Sequence, residues 1–404
     1  MENKKSILLG TFLLNCISLS ACASNAVVNL PKSKKAMHIR NDIAKRIGTK
    51  AADVLNEFVQ DTESEDCVYS PASFALAISA LAVVSDNMDI SCFGFTDPEE
   101  DVKQLLEAWN FEVEGEKQNT LFRSAVLHQQ IGPKYSFDSE KQKKLADNYI
   151  ASVVSTKDGY QKDAQRFFDK YVDLKLQVPN LPLTEDSGAA TYAALKMRDS
   201  KLNGFGVYQD DFNFKNKVEK VDTVHFGSEE FPDDVRYYKG NNYAMFDMRI
   251  SNTDLVILLP DEDANINNIN IDGAYSNFLE HSSVVPAYGY IPYFHNTTNC
   301  ANLSSIIDKI NPHTSGFGFM SKLLKDTVVN DLKIKSILQS SDFEFDENGV
   351  KGESITVISL DPTSPAPNPE KPEPIVLNVD RPFIAYSTYD DFPLFINKVS
   401  NPGK

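Results

Sequence analysis

Residues 255–260 (LVILLP) form an uninterrupted apolar run. The run is short and partly β-branched, so it reads as a strand covered on both faces. Residues 287–294 alternate more loosely, and residues 332–345 and 375–399 are again strand-rich, with a helix expected near 301–310 between them. Toward the N-terminus the period changes from two to 3.6. Ile47, Ala51, Val54, Leu55 and Phe58 recur at helical spacing and mark one apolar stripe over roughly 41–60. A second helix is expected to start at Ser70-Pro71, because serine caps an N-terminus and proline suits the first helical position. Residues 72–84 are Ala-rich and apolar on most sides, so that helix should be central. Residues 97–118 and much of 137–182 are charged and helix-like, as surface helices are. Helices first and strands later predict a large α+β fold.

The chain has 404 residues, which favours two or three domains unless one large mixed fold spans it. Hydrophobic residues make up 42%, enough for a sizeable core. The 57 acidic residues outnumber the 40 basic ones, for a net charge of −17. Such a surface repels phosphate backbones and excludes nucleic acid as a main partner. No G-x-S-x-G, H-E-x-x-H or G-x-x-x-x-G-K occurs, and the six histidines are scattered. Asp210-Asp211 and Glu229-Glu230 read as solvated faces. The chain is therefore not expected to be an enzyme, and no cofactor is expected. If Cys67 opens the second helix and Cys92 lies past its end, the two are too far apart for a disulfide. The absence of a C-x-x-C pair argues against zinc.

The first 21 residues read as a signal peptide. Lys4 and Lys5 precede residues 6–20 (SILLGTFLLNCISLS), an apolar stretch too short to span a bilayer. Leu19-Ser20-Ala21-Cys22 resembles a bacterial lipobox, which implies acyl chains on Cys22 and a protein exported to the cell envelope. Ala21-Cys22-Ala23 also satisfies the small-x-small rule of ordinary signal cleavage, which would give a secreted protein. Residues 22–40 are small, polar and basic, a tether between anchor and body.

Several separated segments resemble the serpin family, the serine protease inhibitor fold. Residues 66–73 (DCVYSPAS) resemble its N-x-x-x-S-P-x-S, and residues 254–261 (DLVILLPD) its ILLP strand. Residues 291–294 (IPYF) stand where the family has lPkF, and residues 343–349 (FEFDENG) resemble the hinge that opens its reactive loop. Arg381-Pro382-Phe383 and residues 394–402 (LFINKVSNP) resemble the family's closing motifs. The resemblance covers residues 41–404. It implies one domain of about nine helices and three β-sheets, with an exposed reactive loop at about 349–375. The chain would be a monomer. Its partner would be a serine protease, with cysteine proteases as a second target class. The protease cuts the loop, the loop inserts into the main sheet, and the still-acylated enzyme is trapped.

By the family spacing, Glu347 and Gly349 form the hinge, and Val350, Gly352, Ser354 and Thr356 point inward. All four are uncharged and none is large, while Lys351, Glu353 and Ile355 point outward. A one-residue slip would bury Lys351 and Glu353 together. The register thus suits an inhibitor, although the usual alanine run is absent. A non-inhibitory binding or carrier protein is the alternative. A surface interaction protein using the proline-rich residues 361–374 is a third reading. The family's sheet-opening region maps onto Ser70, Pro71, Ser73 and Gln339. Its usual histidine is replaced by Gln339, and its usual asparagine is missing from residues 191–196 (TYAALK). Fourteen steps from Gly349 place the bait bond at Thr363–Ser364. Lys371 precedes Pro372, which disfavours trypsin-like targets. Leu360, Pro362 and Thr363 suit elastase-like or subtilisin-like pockets instead.

Overall fold

The computed structural model describes residues 41–61, 66–84, 89–109, 111–112, 122–131, 151–155, 189–200, 205–215, 217–305, 337–355 and 373–402, with isolated positions between them. The first helical stretch begins with Asn41–Ile43 and a π-helical turn, Ala44–Gly48, and continues as α1 (Thr49–Asp61). Its predicted stripe is the buried one: Ile47, Ala51, Val54 and Leu55 are all in the core and Phe58 packs against it.

Helix α2 (Pro71–Val84) starts as its sequence dictates. The Ser70 hydroxyl accepts the Ser73 N–H at 3.1 Å, and the Ser70 carbonyl accepts the Phe74 N–H at 3.1 Å. Ala72, Phe74, Ala75, Leu76 and Ile78 are fully buried, so the helix runs through the core. Cys67 does not open this helix. It lies in strand β1 (Cys67–Tyr69), because Pro71 sets the helix start four residues later. Helix α3 (Pro98–Trp109) is shorter than the charged stretch that predicted it, and Phe111–Glu112 already forms strand β2. Buried Asp101 on α3 accepts hydrogen bonds from Thr96 N (3.0 Å), Asp97 N (3.3 Å) and Arg46 Nη2 (3.0 Å), fixing α3 to the π-helical turn. Helix α4 (Ala274–His281) completes the longer helices among the described residues.

A seven-stranded sheet runs in the order β12 (Phe294–Asn302), β13 (Leu338–Asp346), β14 (Gly349–Ile355), β5 (Ala189–Ser200), β3 (Phe122–Ile131) and β2, with β4 (Ala151–Ser155) parallel to β3. The ten-stranded sheet begins β1, β17 (Phe392–Val399), β16 (Phe383–Tyr389), β10 (Asp254–Pro260), β9 (Tyr243–Arg249) and β8 (Asp233–Lys239). It continues through β11 (Ser283–Pro292) to β7 (Lys217–Phe226) and β6 (Val207–Phe214), with β15 (Ile375–Asn378) parallel beside β11. Strand β10 contains the LVILLP run, and every residue of it is buried, as a run apolar on both faces requires.

The described residues differ from the expected nine helices and three sheets. They hold four helices longer than a turn or two and only two sheets. The sheet count differs because β11 pairs with β8 through Ser283–Ala287 and with β7 through Gly289–Pro292, which joins two expected sheets into one. The helix expected near 301–310 falls mostly outside the described residues, and its first two positions, Ala301 and Asn302, complete β12. The surface helices expected within 137–182 also lie largely outside them.

Candidate functional site

Strand β13 turns into β14 through Glu347 and Asn348. The Asp346 carboxylate holds the turn, accepting the Asn348 N–H at 2.7 Å and its side-chain amide at 3.1 Å. The Glu347 carbonyl accepts the Phe205 N–H at 2.8 Å. Gly349 takes φ = 128°, a conformation that favours glycine over any residue with a Cβ.

Strand β14 is antiparallel to both neighbours, so β13 and β5 run parallel to each other on either side of it. Val350 stands between Phe345 and Asp199, Lys351 between Glu344 and Arg198, and Gly352 between Phe343 and Met197. Glu353 falls between Asp342 and Lys196, and Ser354 between Ser341 and Leu195. The faces alternate as a strand must. Val350 is 3% exposed, and its inner-face neighbours Phe343 and Phe345 are fully buried. Gly352 is also buried, whereas Lys351 is only half-buried. A Cβ on Gly352 would come within 2.6 Å of Phe395 Cε2 and 3.1 Å of Phe343 Cδ2, closer than packed atoms approach. Ser354 is placed by its backbone alone. Thr356, Thr363, Ser364 and Cys22 lie outside the described residues.

Farther along the inner face, β13 meets α2. Gln339 is 1% exposed. Its Oε1 accepts the Ser70 N–H at 2.8 Å and its Nε2 donates to the Ser70 carbonyl at 3.0 Å. Ser341 Oγ donates to the same Oε1 at 3.3 Å, and Ser70 Oγ donates to the Leu394 carbonyl at 2.8 Å. Ser70, Pro71, Ser73 and Gln339 are thereby brought together, with Ser70 linking α2, β13 and β17. The amide supplies one donor and one acceptor in fixed geometry and does not titrate near neutrality. On the outer face, His295 Nε2 lies 2.9 Å from Asp342 Oδ1, and this hydrogen bond is the main cause holding the imidazole pKa above its ordinary value.

The sequence reading missed three contributors. Phe395 and Leu394 belong to residues 394–402, whose sequence carries the family resemblance but nothing that points to these contacts. Asn296 had no signal at all, yet its buried side-chain amide donates to the Lys398 carbonyl at 3.1 Å and the Cys67 carbonyl at 3.3 Å, pinning β12 to β17 and β1. Among the described residues no group of three His, Cys, Asp or Glu side chains is placed to hold a metal ion.

A family model for serpin (serine protease inhibitor) matches residues 205–402. No curated protein matches the sequence. Among solved structures, a cleaved Serpin 42Da is similar, with TM-score 0.67 and 15% identity over 90% of this chain and 99% of that one. The thermophilic serpin Tengpin in its latent state gives TM-score 0.67 and 15% identity over 91% of this chain and 100% of its own. Human thyroxine-binding globulin gives 0.65 and 16% over 90% and 100%. The chain thus has the serpin fold, and the family model's match over its C-terminal half supports placing it in the serpin family.

Proposed function

We propose that the chain is an exported inhibitor of serine proteases that is consumed by its target. The observation that supports this best is the register of β14, which puts uncharged residues that are not large on the inner face. The segment leading into the bait residues lies as a central strand between β13 and β5, with Val350 and Gly352 inward. Each further residue that follows it would gain backbone pairing on two sides, about 1 kcal/mol net per hydrogen bond. Cleavage at Thr363–Ser364 frees the loop to continue that strand and carry an acylated protease with it. The small apolar residues before the bond favour elastase-like or subtilisin-like targets. In this reading the protein acts as a monomer, held at the cell envelope by acyl chains on Cys22.

The test is a panel of elastase-like, subtilisin-like and trypsin-like enzymes. An SDS-stable complex with the first two, and release of a peptide beginning at Ser364, is the expected result. Clean turnover without a trapped complex would overturn the inhibitory reading. Mass spectrometry of the native N-terminus should show acylated Cys22, and an unmodified downstream start would remove the anchor.

A non-inhibitory binding or carrier role is the second reading. It is favoured by β14 being seated while the chain is uncut and β15 is still paired with β11. The same panel separates the two.

A further inference from the structure

We infer that the turn carrying Phe231, with the outer face of β11 and β15 beside it, is a docking surface for the body of a basic protease whose cleft holds the bait loop. The cross-strand register carries the placement. Asp233, the first residue of β8, pairs with Ala287 of β11, and Ala287 pairs on its other edge with Ile375, the first residue of β15. The point where the loop ends is thus two strand spacings, about 10 Å, from Asp233. Phe231 precedes Asp233 by two residues on a tightly bonded turn. The Ser228 N–H donates to the Phe231 carbonyl at 2.9 Å, and the Phe231 N–H donates to the Ser228 hydroxyl at 3.0 Å. Gly227 at the base has φ = 57° and lies so close to β11 that a Cβ would stand 2.6 Å from the Ala287 carbonyl oxygen. The turn therefore holds an aromatic ring, 76% exposed, with little backbone ordering left to lose on binding. Val284 of β11 and Val376 of β15 add apolar area at 65% and 52% exposure, and by alternation both share the face of Tyr288.

The charge around the ring selects the partner. Glu229, Glu230, Asp233 and Asp234 are all exposed, and no Lys or Arg stands within residues 227–235. The next cation along β8, Arg236, is turned to Asp247 and Asp391. Glu373, just before β15, is exposed as well. A chain of net charge −17 repels a second copy of itself at such a face, whereas a cationic surface is drawn to it. The length of the loop makes that surface a protease's. Ser364 and Ile375 can stand at most about 40 Å apart. A protease of about 220 residues is about 45 Å across, so one that grips Thr363–Ser364 has its own surface within reach of Phe231. The inference rests on the loop being a protease ligand, as proposed above, and not on the trapping step.

The test uses a subtilisin of basic isoelectric point with its active-site serine replaced by alanine, so that the loop is gripped and not cut. Its association with the full chain is followed on a biosensor at low and high sodium chloride, beside its association with a synthetic peptide of residues 350–375. Phe231→Ala should weaken binding about tenfold and leave the melting temperature unchanged, since the ring is exposed. Glu229→Lys with Glu230→Lys should slow association with the basic enzyme and speed it once the enzyme's lysines are succinylated. Salt should slow association more steeply for the chain than for the peptide. No measurable binding of the chain, or binding that Phe231→Ala leaves within about twofold of wild type, would overturn the surface. Active subtilisin separates this from the inhibitory reading. Cleavage without an SDS-stable complex, with binding still weakened by Phe231→Ala, keeps the surface and removes inhibition. A complex formed equally fast by wild type and Phe231→Ala keeps inhibition and removes the surface.

Discussion

Gly352 of β14 lies against the Phe395 ring of β17 so closely that a Cβ at residue 352 would stand 2.6 Å from Phe395 Cε2. The contact joins the loop segment to the opposing sheet, and it makes residue 352 a sensor of whether β14 is seated. Gly352→Ala should destabilise the seated form by about 1–3 kcal/mol through overpacking against Phe395 and Phe343. In an unseated loop the same change would cost nothing. Gly352→Arg should block seating and turn an inhibitor into a substrate, with protease binding retained. Thermal melts of each variant and gel analysis of the protease reaction check this, and an Arg variant that still traps protease would refute it.

A different kind of pairing holds the next level of the sheet. The Gln339 amide satisfies both the N–H and the carbonyl of Ser70 at a position sealed from water. Gln339→Ala removes the acceptor for a buried N–H, while the Ser70 carbonyl keeps its bond from Phe74 N. The expected cost is about 2–3 kcal/mol in urea unfolding, the unsatisfied donor plus the lost packing. Unchanged stability would mean that water replaces the amide.

The sequence patterns that proved informative are local ones. Ser70-Pro71 announces a helix start because capping needs only residues a turn apart. The alternation of Val350 and Gly352 with Lys351 announces which face goes inward, since period two is a property of the strand itself. Neither pattern names the neighbour across the interface. That Phe395 is the ring above Gly352, and that Asn296 ties β12 to β17, depends on residues brought together from far along the chain. The joining of the expected sheets has the same origin. Nothing within residues 283–292 says that one half of the strand will pair with β8 and the other with β7.

Burial and a crowd of carboxylates set the pH behaviour of the ten-stranded sheet. Arg236 on β8 bonds Asp247 through Nε at 2.5 Å and Asp391 through Nη1 at 2.6 Å, and Asp254 is a more distant neighbour at 3.9 Å. Asp254 also meets Arg249 at 3.4 Å, yet burial raises its pKa to about 6. A carboxyl raised in the folded state binds its proton more tightly there than in the unfolded chain. Its contribution to stability is therefore greatest below about pH 4 and declines as pH rises to about 6. Asp254→Asn should stabilise the protein by about 1–3 kcal/mol at pH 7.5 and by little at pH 4. Arg236 would keep Asp247 and Asp391. Urea unfolding at the two pH values measures the difference, and an equal change at both would contradict the assignment.

The gain on loop cleavage should be moderate, because β14 already seats Gly349–Ile355 in the uncut chain. What cleavage can add begins at Thr356 and ends before Pro362, which has no N–H to give to a ladder. Continuing the alternation, Ile358 and Leu360 would turn inward with Thr356, while Val357, Ser359 and Asp361 would face out. Burying two such side chains contributes about 1.5–3 kcal/mol each. Backbone pairing adds about 1 kcal/mol per hydrogen bond, and ordering the chain costs about 1–2 kcal/mol per residue. The balance is a net gain of a few kcal/mol, which for a chain of 404 residues corresponds to a rise of roughly 3–8 °C in melting temperature. Ile358→Asp should remove most of that rise by placing a charge on the inner face, whereas Ser359→Asp should leave it intact. Differential scanning calorimetry of the chain before and after cleavage at Thr363–Ser364 reads both, and equal melting temperatures for cut and uncut wild type would show that the loop does not extend the strand.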